Sequence, residues 1–279
     1  MAERISASIE ISPKQAVESE DLPGLFPAGT WVYITDVGTD SAETITSGAN
    51  RLRELGYVAV PHFASRRLTT KDALYQRVKM LSEEAGVGNV LVIGGGLEEQ
   101  AGDFGSSLEV LETGYFDEFG IRSIGVAGHP EGSPDFDDDV AAEALKLKRA
   151  FGERTDADMR VVTQFGFDAE GFVRWAEGLA ANGVDLPVHL GVAGPAKLTT
   201  LVKFAAMCGV GNSIQFLKKR ASAISTLVTG FDPEVVVAPI EDHVMKTEPT
   251  AIAQIHVFPF GGIKKSAEWL KERGSWNPS

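Results

Sequence analysis

Eight short runs rich in β-branched and aromatic residues, separated by stretches of helical period, predict an α/β chain folded as one (β/α)8 TIM barrel. Two further observations support this reading. The runs are nearly continuously apolar, as in Val90-Leu91-Val92-Ile93, which is the pattern of parallel strands covered on both faces. Eight repeats over 279 residues also match the size of such a barrel, whereas an open doubly wound sheet uses about five to seven strands. No linker, low-complexity stretch or composition shift divides the chain, so residues 1–279 are read as one domain.

The strands expected in order are Ile5 to Ile11, Trp31 to Thr35, Tyr57 to His62, Asn89 to Ile93, Arg122 to Ala127, Arg160 to Phe165, Pro187 to Val192 and Ala253 to Phe258. Between them the helices carry punctuation. Ser41 to Leu55 opens on Asp40-Ser41 and closes at Gly56, and Thr69 with Asp72 resembles a capping box for a helix through Leu81. Val140, Ala144, Leu147 and Phe151 form one apolar face, and Phe172, Trp175 and Leu179 another, so both should pack on the sheet. Extra helices are expected between strands seven and eight, over Ser213 to Thr229 and roughly Pro233 to Met245.

Composition narrows the partners. With 26 basic against 39 acidic residues the formal charge is -13, which repels phosphate backbones and anionic lipid and argues against nucleic acid. A small anionic substrate is compatible, because a local cationic group or helix N-terminus can hold one. Cys208 is the lone cysteine, so no intrachain disulfide or thiolate zinc site can form. The five histidines lack metal-binding spacing, and no metal is expected. No apolar run reaches the ~18 residues of a membrane span, and no basic start precedes an apolar stretch, so a cytoplasmic protein is expected.

In a barrel, chemistry gathers where the strands end. Glu10, between Ile9 and Ile11, is either a carboxyl raised toward neutral pH by hydrocarbon, fit for general acid work, or a solvent-facing or salt-bridged residue at the barrel end. His62 either donates to a bound ring or caps a loop. Gly94-Gly95-Gly96 lets a backbone approach a flat ligand closely. Gln164 offers an amide that can read a ring edge, while Asp168 is read as a helix N-cap. Tyr33, Phe63, Phe165, Phe258 and Phe260 either stack on an aromatic ligand or fill the core. There is no G-x-G-x-x-G, phosphate-binding G-x-x-x-x-G-K-[ST] or G-x-S-x-G motif, so any cofactor would be held by barrel loops.

Several segments together resemble the methylenetetrahydrofolate reductase family, from Ser8-Ile9-Glu10-Ile11-Ser12-Pro13-Lys14 to Ile255-His256-Val257-Phe258. Ala127-Gly128-His129-Pro130-Glu131-Gly132-Ser133-Pro134 resembles the family's A-x-Y-P-E-x-H-P loop. Val162-Thr163-Gln164-Phe165-Gly166-Phe167-Asp168 is similar to its T-Q-F-x-F-D strand, and Leu145-Lys146-Leu147-Lys148-Arg149 to its L-x-x-K segment. The resemblance implies a homo-oligomeric barrel that binds FAD, takes hydride from NADH or NADPH and passes it to 5,10-methylenetetrahydrofolate, giving 5-methyltetrahydrofolate. It further implies Glu10 as general acid and Gln164 as a catalytic and folate-binding amide, with Phe165 beside the substrate. Cofactor contacts would come from Thr35, His62, Ile93, Gly94, Gly95, Gly96, Ala127, His129, Glu143 and Arg149, the last through the diphosphate.

The chain departs from the family pattern where Ile93-Gly94-Gly95-Gly96 replaces L-R-G-D or I-A-G-D, removing a carboxylate at position 96. His129 stands for a Tyr, Ser133 for a His and Ala150 for a basic residue. Two alternatives therefore accompany the flavoenzyme: a flavin-independent, NADH-dependent methylenetetrahydrofolate reductase, and a non-catalytic folate-binding barrel.

Overall fold

The computed structural model describes residues 4–133, 135–208, 210 and 230–275. Eight strands, β1 (Ala7–Ile11), β2 (Trp31–Ile34), β3 (Val58–Ala64), β4 (Asn89–Ile93), β5 (Ser123–Gly128), β6 (Asp158–Gly166), β7 (Val188–Ala193) and β8 (Ile252–Phe258), close into a barrel in sequence order. Each boundary falls within two residues of the expected run. The registers are parallel, for example Tyr33 opposite Val60, His62 opposite Leu91, and Ser8 opposite His256. Val90, Val92, Ile124, Val126, Val161 and Leu190 are all sealed from solvent, which is why these strands read as apolar runs rather than alternating ones.

The chain falls into two compact units. Unit one comprises Met1–Ile9, Gly128–Ala142 and Val162–Ser279; unit two comprises Glu10–Ala127 and Glu143–Val161.

In unit two, helix α1 (Pro13–Glu18) begins with Ser12 accepting from the Gln15 N–H while the Gln15 side chain returns to the Ser12 N–H, satisfying two orphan donors reciprocally. Helix α2 (Ala42–Glu54) has Ser41 as its N-cap, as expected. Helix α3 (Lys71–Glu83) corrects the expected start. Thr70, not Thr69, is the cap, its hydroxyl accepting from the Ala73 N–H at 3.0 Å. Thr69 is held by its backbone instead: its carbonyl accepts from Asp103 N–H at 3.2 Å, and a Cβ on Gly102 would stand 1.8 Å from that oxygen. Short helices α4 (Ser107–Leu111) and α5 (Tyr115–Glu118) follow β4.

Helix α6 (Asp138–Arg154) is rotated from the expected orientation. Its buried residues are Leu145, Lys148 and Phe151, whereas Val140 and Leu147 are 56% and 46% exposed. Gly152 lies on the packed side, where a Cβ would stand 2.6 Å from Met159 Cγ. The lack of a side chain there suits close packing of this face, and Leu147 lies on the other side of the helix.

Unit one carries α7 (Ala169–Ala181), capped by Asp168 as expected, with Phe172, Ala176 and Leu179 buried and Trp175 at the edge of that face. Between β7 and β8 the described helices are α8 (Leu198–Met207) and α9 (Glu234–Lys246), the latter matching Pro233 to Met245; the expected Ser213 to Thr229 helix lies outside the described residues. Helix α10 (Ile263–Arg273) follows β8. Glu241 on α9 is 2% exposed and binds Arg4, the Ile5 N–H and Arg273, so it ties the start of the chain and α10 to α9. No described helix is long and apolar enough to cross a membrane.

Candidate active site at the strand ends

Unit two holds Glu10 and most of the positions expected to touch cofactor. Glu10 is the penultimate residue of β1, part-exposed between the sealed Ile9 and Ile11, with interactions of its own. The alternation of a strand explains this: its neighbours face the packed layer, so the carboxyl faces the other way. Thr35 follows β2 and donates its N–H to the Ile11 carbonyl at 3.0 Å.

Asp36 and Arg77 form a buried ion pair at 2.8 Å. Burial pushes the Asp36 carboxyl up, but the Arg77 guanidinium and the N–H groups of Ala64 and Gly38 outweigh it and hold the carboxyl below its ordinary range. Arg77 also donates to the His62 carbonyl at 2.6 Å and lies 4.5 Å over the Phe63 ring. This fixes the end of β3. The His62 imidazole is 6% exposed and meets Tyr33 edge-on at 5.9 Å.

Ile93 and the three glycines form the end of β4 and the loop beyond it. Ser65 Oγ and the Arg66 N–H both donate to the Gly94 carbonyl, at 3.2 and 2.9 Å. Arg67 Nε donates to the Gly95 carbonyl at 3.1 Å, and Arg66 holds the Gly105 and Leu97 carbonyls at 3.1 and 2.8 Å. Ser65, Arg66, Arg67 and Arg77 were missed by the sequence reading. The adjacent pair Arg66-Arg67 just beyond a strand in an acidic chain was the available signal; for Arg77, inside a helical stretch, there was none.

Ala127 is the penultimate residue of β5. Glu143 is exposed on α6 beside Lys146 at 3.8 Å, and Arg149 pairs with Glu153 at 2.5 Å. Lys148, one residue before Arg149, is buried with no ion-pair partner among the described residues, and desolvation lowers its ammonium to a pKa of about 8. Deeper in the unit, Arg160 of β6 donates to Tyr33 Oη, Ser123 Oγ and the Val90 carbonyl at 3.1, 2.8 and 3.4 Å, and stacks 4.6 Å from Trp31. Donations to three other strands place this guanidinium on the inner face of the sheet.

Unit one contributes His129, Gln164 and Phe165. His129 packs edge-on against Phe136 at 5.0 Å, and the Gly132 N–H closes its turn onto the His129 carbonyl at 3.1 Å. Gln164 is part-exposed two residues before the end of β6. Its neighbour Thr163 accepts from the Gly191 N–H and donates to the Gln164 carbonyl, each at 2.8 Å. Gly191 must lack a side chain, because a Cβ there would meet the Thr163 and Gln164 carbonyls at 2.5 Å. Gly166 is likewise enforced by Phe172 and by Glu131 Oε1, the latter 2.6 Å from a would-be Cβ.

Phe165 is 2% exposed and touches Phe260, Phe258 and Phe167 at 4.7, 5.4 and 6.0 Å between ring centres. Phe204 stacks on Phe260 at 4.3 Å, extending the aromatic cluster. On the β1–β8 seam, Ser8 Oγ and His256 Nδ1 share a hydrogen bond at 2.9 Å.

Known proteins resemble this chain in sequence. The family model "Methylenetetrahydrofolate reductase" matches residues 28–232, a span that holds the candidates from Thr35 to Phe165 and leaves out Glu10, Phe258 and Phe260. "Methylenetetrahydrofolate reductase 1" of Schizosaccharomyces pombe is 42% identical over 83 residues, 29% of this chain and 12% of that protein. The "5,10-methylenetetrahydrofolate reductase" of Pectobacterium carotovorum is 28% identical over 163 residues, and that of Escherichia coli 29% over 164, each covering 56% of this chain and 50% of its relative. The chain thus spans about half the length of these bacterial relatives, and, with the family model covering most of its residues, it belongs to the methylenetetrahydrofolate reductase family.

Proposed function

We propose that this protein reduces 5,10-methylenetetrahydrofolate to 5-methyltetrahydrofolate, with NADH or NADPH as hydride source and FAD as carrier, as a cytoplasmic homo-oligomer. The observation that carries this reading is the family match over residues 28–232, within which Thr35, His62, Gly94 to Gly96 and Gln164 stand at or just beyond strand ends. The β4 loop suits a flat ring system, because nothing lies within 4 Å of where a Cβ would stand on Gly94 or Gly96. Thr35, His62, Ile93, Gly94, Gly95, Gly96, Ala127, His129, Glu143 and Arg149 would hold the flavin. Bound there, FAD would accept hydride from the nicotinamide and pass it on.

The protein's own side chains would manage protons and orientation. Glu10, with Ile9 and Ile11 sealed on either side, would donate its proton to a folate nitrogen as the five-membered ring opens, leaving an iminium whose methylene carbon receives the hydride. One hydride and one proton are consumed for each methyl group formed. Gln164 would hydrogen-bond the pterin edge, and Phe165 would limit water from within the aromatic cluster.

The test is anaerobic mixing of purified protein with NADH and then methylenetetrahydrofolate, followed by flavin absorbance. Bleaching by NADH and recovery on adding the folate are expected. The glycine at position 96 favours a second reading, direct reduction of the iminium by NADH without flavin. A colourless protein that still oxidises NADH only when the folate is present would select it. No folate-dependent oxidation at all would leave a binding barrel.

A further inference from the structure

We propose that Arg77 is a positioning residue: anchored on Asp36, it sets the backbone at His62, and with it the imidazole that a bound flavin meets in unit two. The sequence itself creates the need for such a clamp. Pro61 brings no N–H to the ladder, and β2 stops at Ile34, which stands opposite Pro61. From His62 onward β3 runs past the end of β2 and keeps its register with β4, His62 opposite Leu91 and Ala64 opposite Ile93. Side chains take over on the β2 side. Asp36, just past β2, accepts from the Ala64 N–H at 3.4 Å and from the Gly38 N–H at 3.1 Å. Arg77, reaching in from α3, gives one terminal nitrogen to Asp36 at 2.8 Å and the other to the His62 carbonyl at 2.6 Å. One planar fork therefore sets the spacing between the end of β2 and the end of β3.

The side from which the clamp acts matters. The Arg77 guanidinium lies 4.5 Å over the Phe63 ring. Successive residues of a strand face opposite ways, so Arg77 works from the Phe63 face while the His62 side chain points away from it. On that other face the His62 ring meets Tyr33 edge-on at 5.9 Å, and Tyr33 Oη accepts from Arg160 Nε at 3.1 Å. Within unit two the imidazole thus has a guanidinium behind its backbone and a tethered ring beside it. A side chain ordered before its ligand arrives loses less rotamer freedom on binding.

That His62 meets a flavin rests on the reductase reading; the clamp itself does not. Arg77→Lys is the informative variant, because it keeps a charge beside Asp36 but draws its donors from one nitrogen and loses the fork. FAD affinity is measured by flavin fluorescence for the wild type, Arg77→Lys, His62→Gln and the double variant, with thermal melting to establish that each is folded. Arg77→Lys should weaken FAD binding about tenfold in the wild-type background and much less once position 62 is glutamine, because both changes act on one contact. In the ligand-free protein, the His62 ring signals in NMR spectra, identified by their loss in His62→Gln, should shift in Arg77→Lys while those of His243 stay. Losses of affinity that simply multiply, or a His62 signal that does not move in folded Arg77→Lys, overturn the positioning role. Should Arg77→Lys fail to fold, Asp36→Asn, which weakens the anchor and leaves the arginine, takes its place in the same cycle. A wild type that binds no FAD would sink the flavin step of the reductase reading, and the His62 signal of the ligand-free protein then decides the clamp by itself.

Discussion

Unit two and unit one finish their strands with opposite chemistry. In unit two the ends of β2, β3 and β4 are fastened by ions and carbonyls: Asp36 with Arg77, Arg66 with Leu97 and Gly105, Arg67 with Gly95. In unit one, around β6 and β8, the work is done by rings, with Phe165, Phe258 and Phe260 in contact with one another and Phe204 stacked on Phe260. A charged, directional network fixes atoms at defined angles. An aromatic cluster excludes water and holds shape through area, with weaker directional demand. The same fold therefore supplies two kinds of surface, and each fails in its own way.

The largest expected effect tests the polar side. Glu10→Gln should lower folate reduction by about 10²–10⁴-fold while sparing NADH oxidation by an artificial acceptor. Separate assays of the two half-reactions decide it, since equal loss in both removes Glu10 from the proton step. Next, Arg77→Met strands the buried Asp36 and should cost about 3–5 kcal/mol in denaturant melts. Because Asp36 has a depressed carboxyl in the folded state, the stability it contributes is present above its unfolded pKa and disappears as pH falls through the folded value. The stability gap between wild type and variant should close in acid; a gap independent of pH would assign the loss to packing against Phe63.

Lys148 works in the other direction. Its folded pKa of about 8 lies below the ordinary 10.5, so the unfolded chain binds the extra proton between these values and stability rises with pH across that window. Lys148→Met should then stabilise the protein at pH 7 by up to about 3 kcal/mol, the gain fading as pH approaches 10.5. A variant no more stable at pH 7 would show that the ammonium is well solvated. The smallest effect belongs to unit one: Thr163→Val leaves the Gly191 N–H without its acceptor and should cost about 1–2 kcal/mol. Were this loss to exceed that of Arg77→Met, the ranking of the buried ion pair over a neutral hydrogen bond would be reversed.

The amino-acid sequence by itself determined the eight strands, because runs such as Val90 to Ile93 are apolar on both faces and only a covered parallel strand accommodates that pattern. It determined the caps at Ser41 and Asp168, where a short polar side chain precedes a helical period. It also pointed to Glu10 and Gln164 as polar residues near strand ends. Tertiary structure decided the rotation of α6, since Leu145 and Leu147 are equally apolar in the chain, and the face that packs is the one on which Gly152 lets Met159 approach. It likewise moved one helix cap from Thr69 to Thr70 through the carbonyl contact with Asp103. The division among the three arginines came from the fold as well. All carry the same charge in the chain, but the carbonyls and the single carboxylate that meet them belong to segments brought near by folding, Leu97 and Gly105 for Arg66, Gly95 for Arg67 and Asp36 for Arg77.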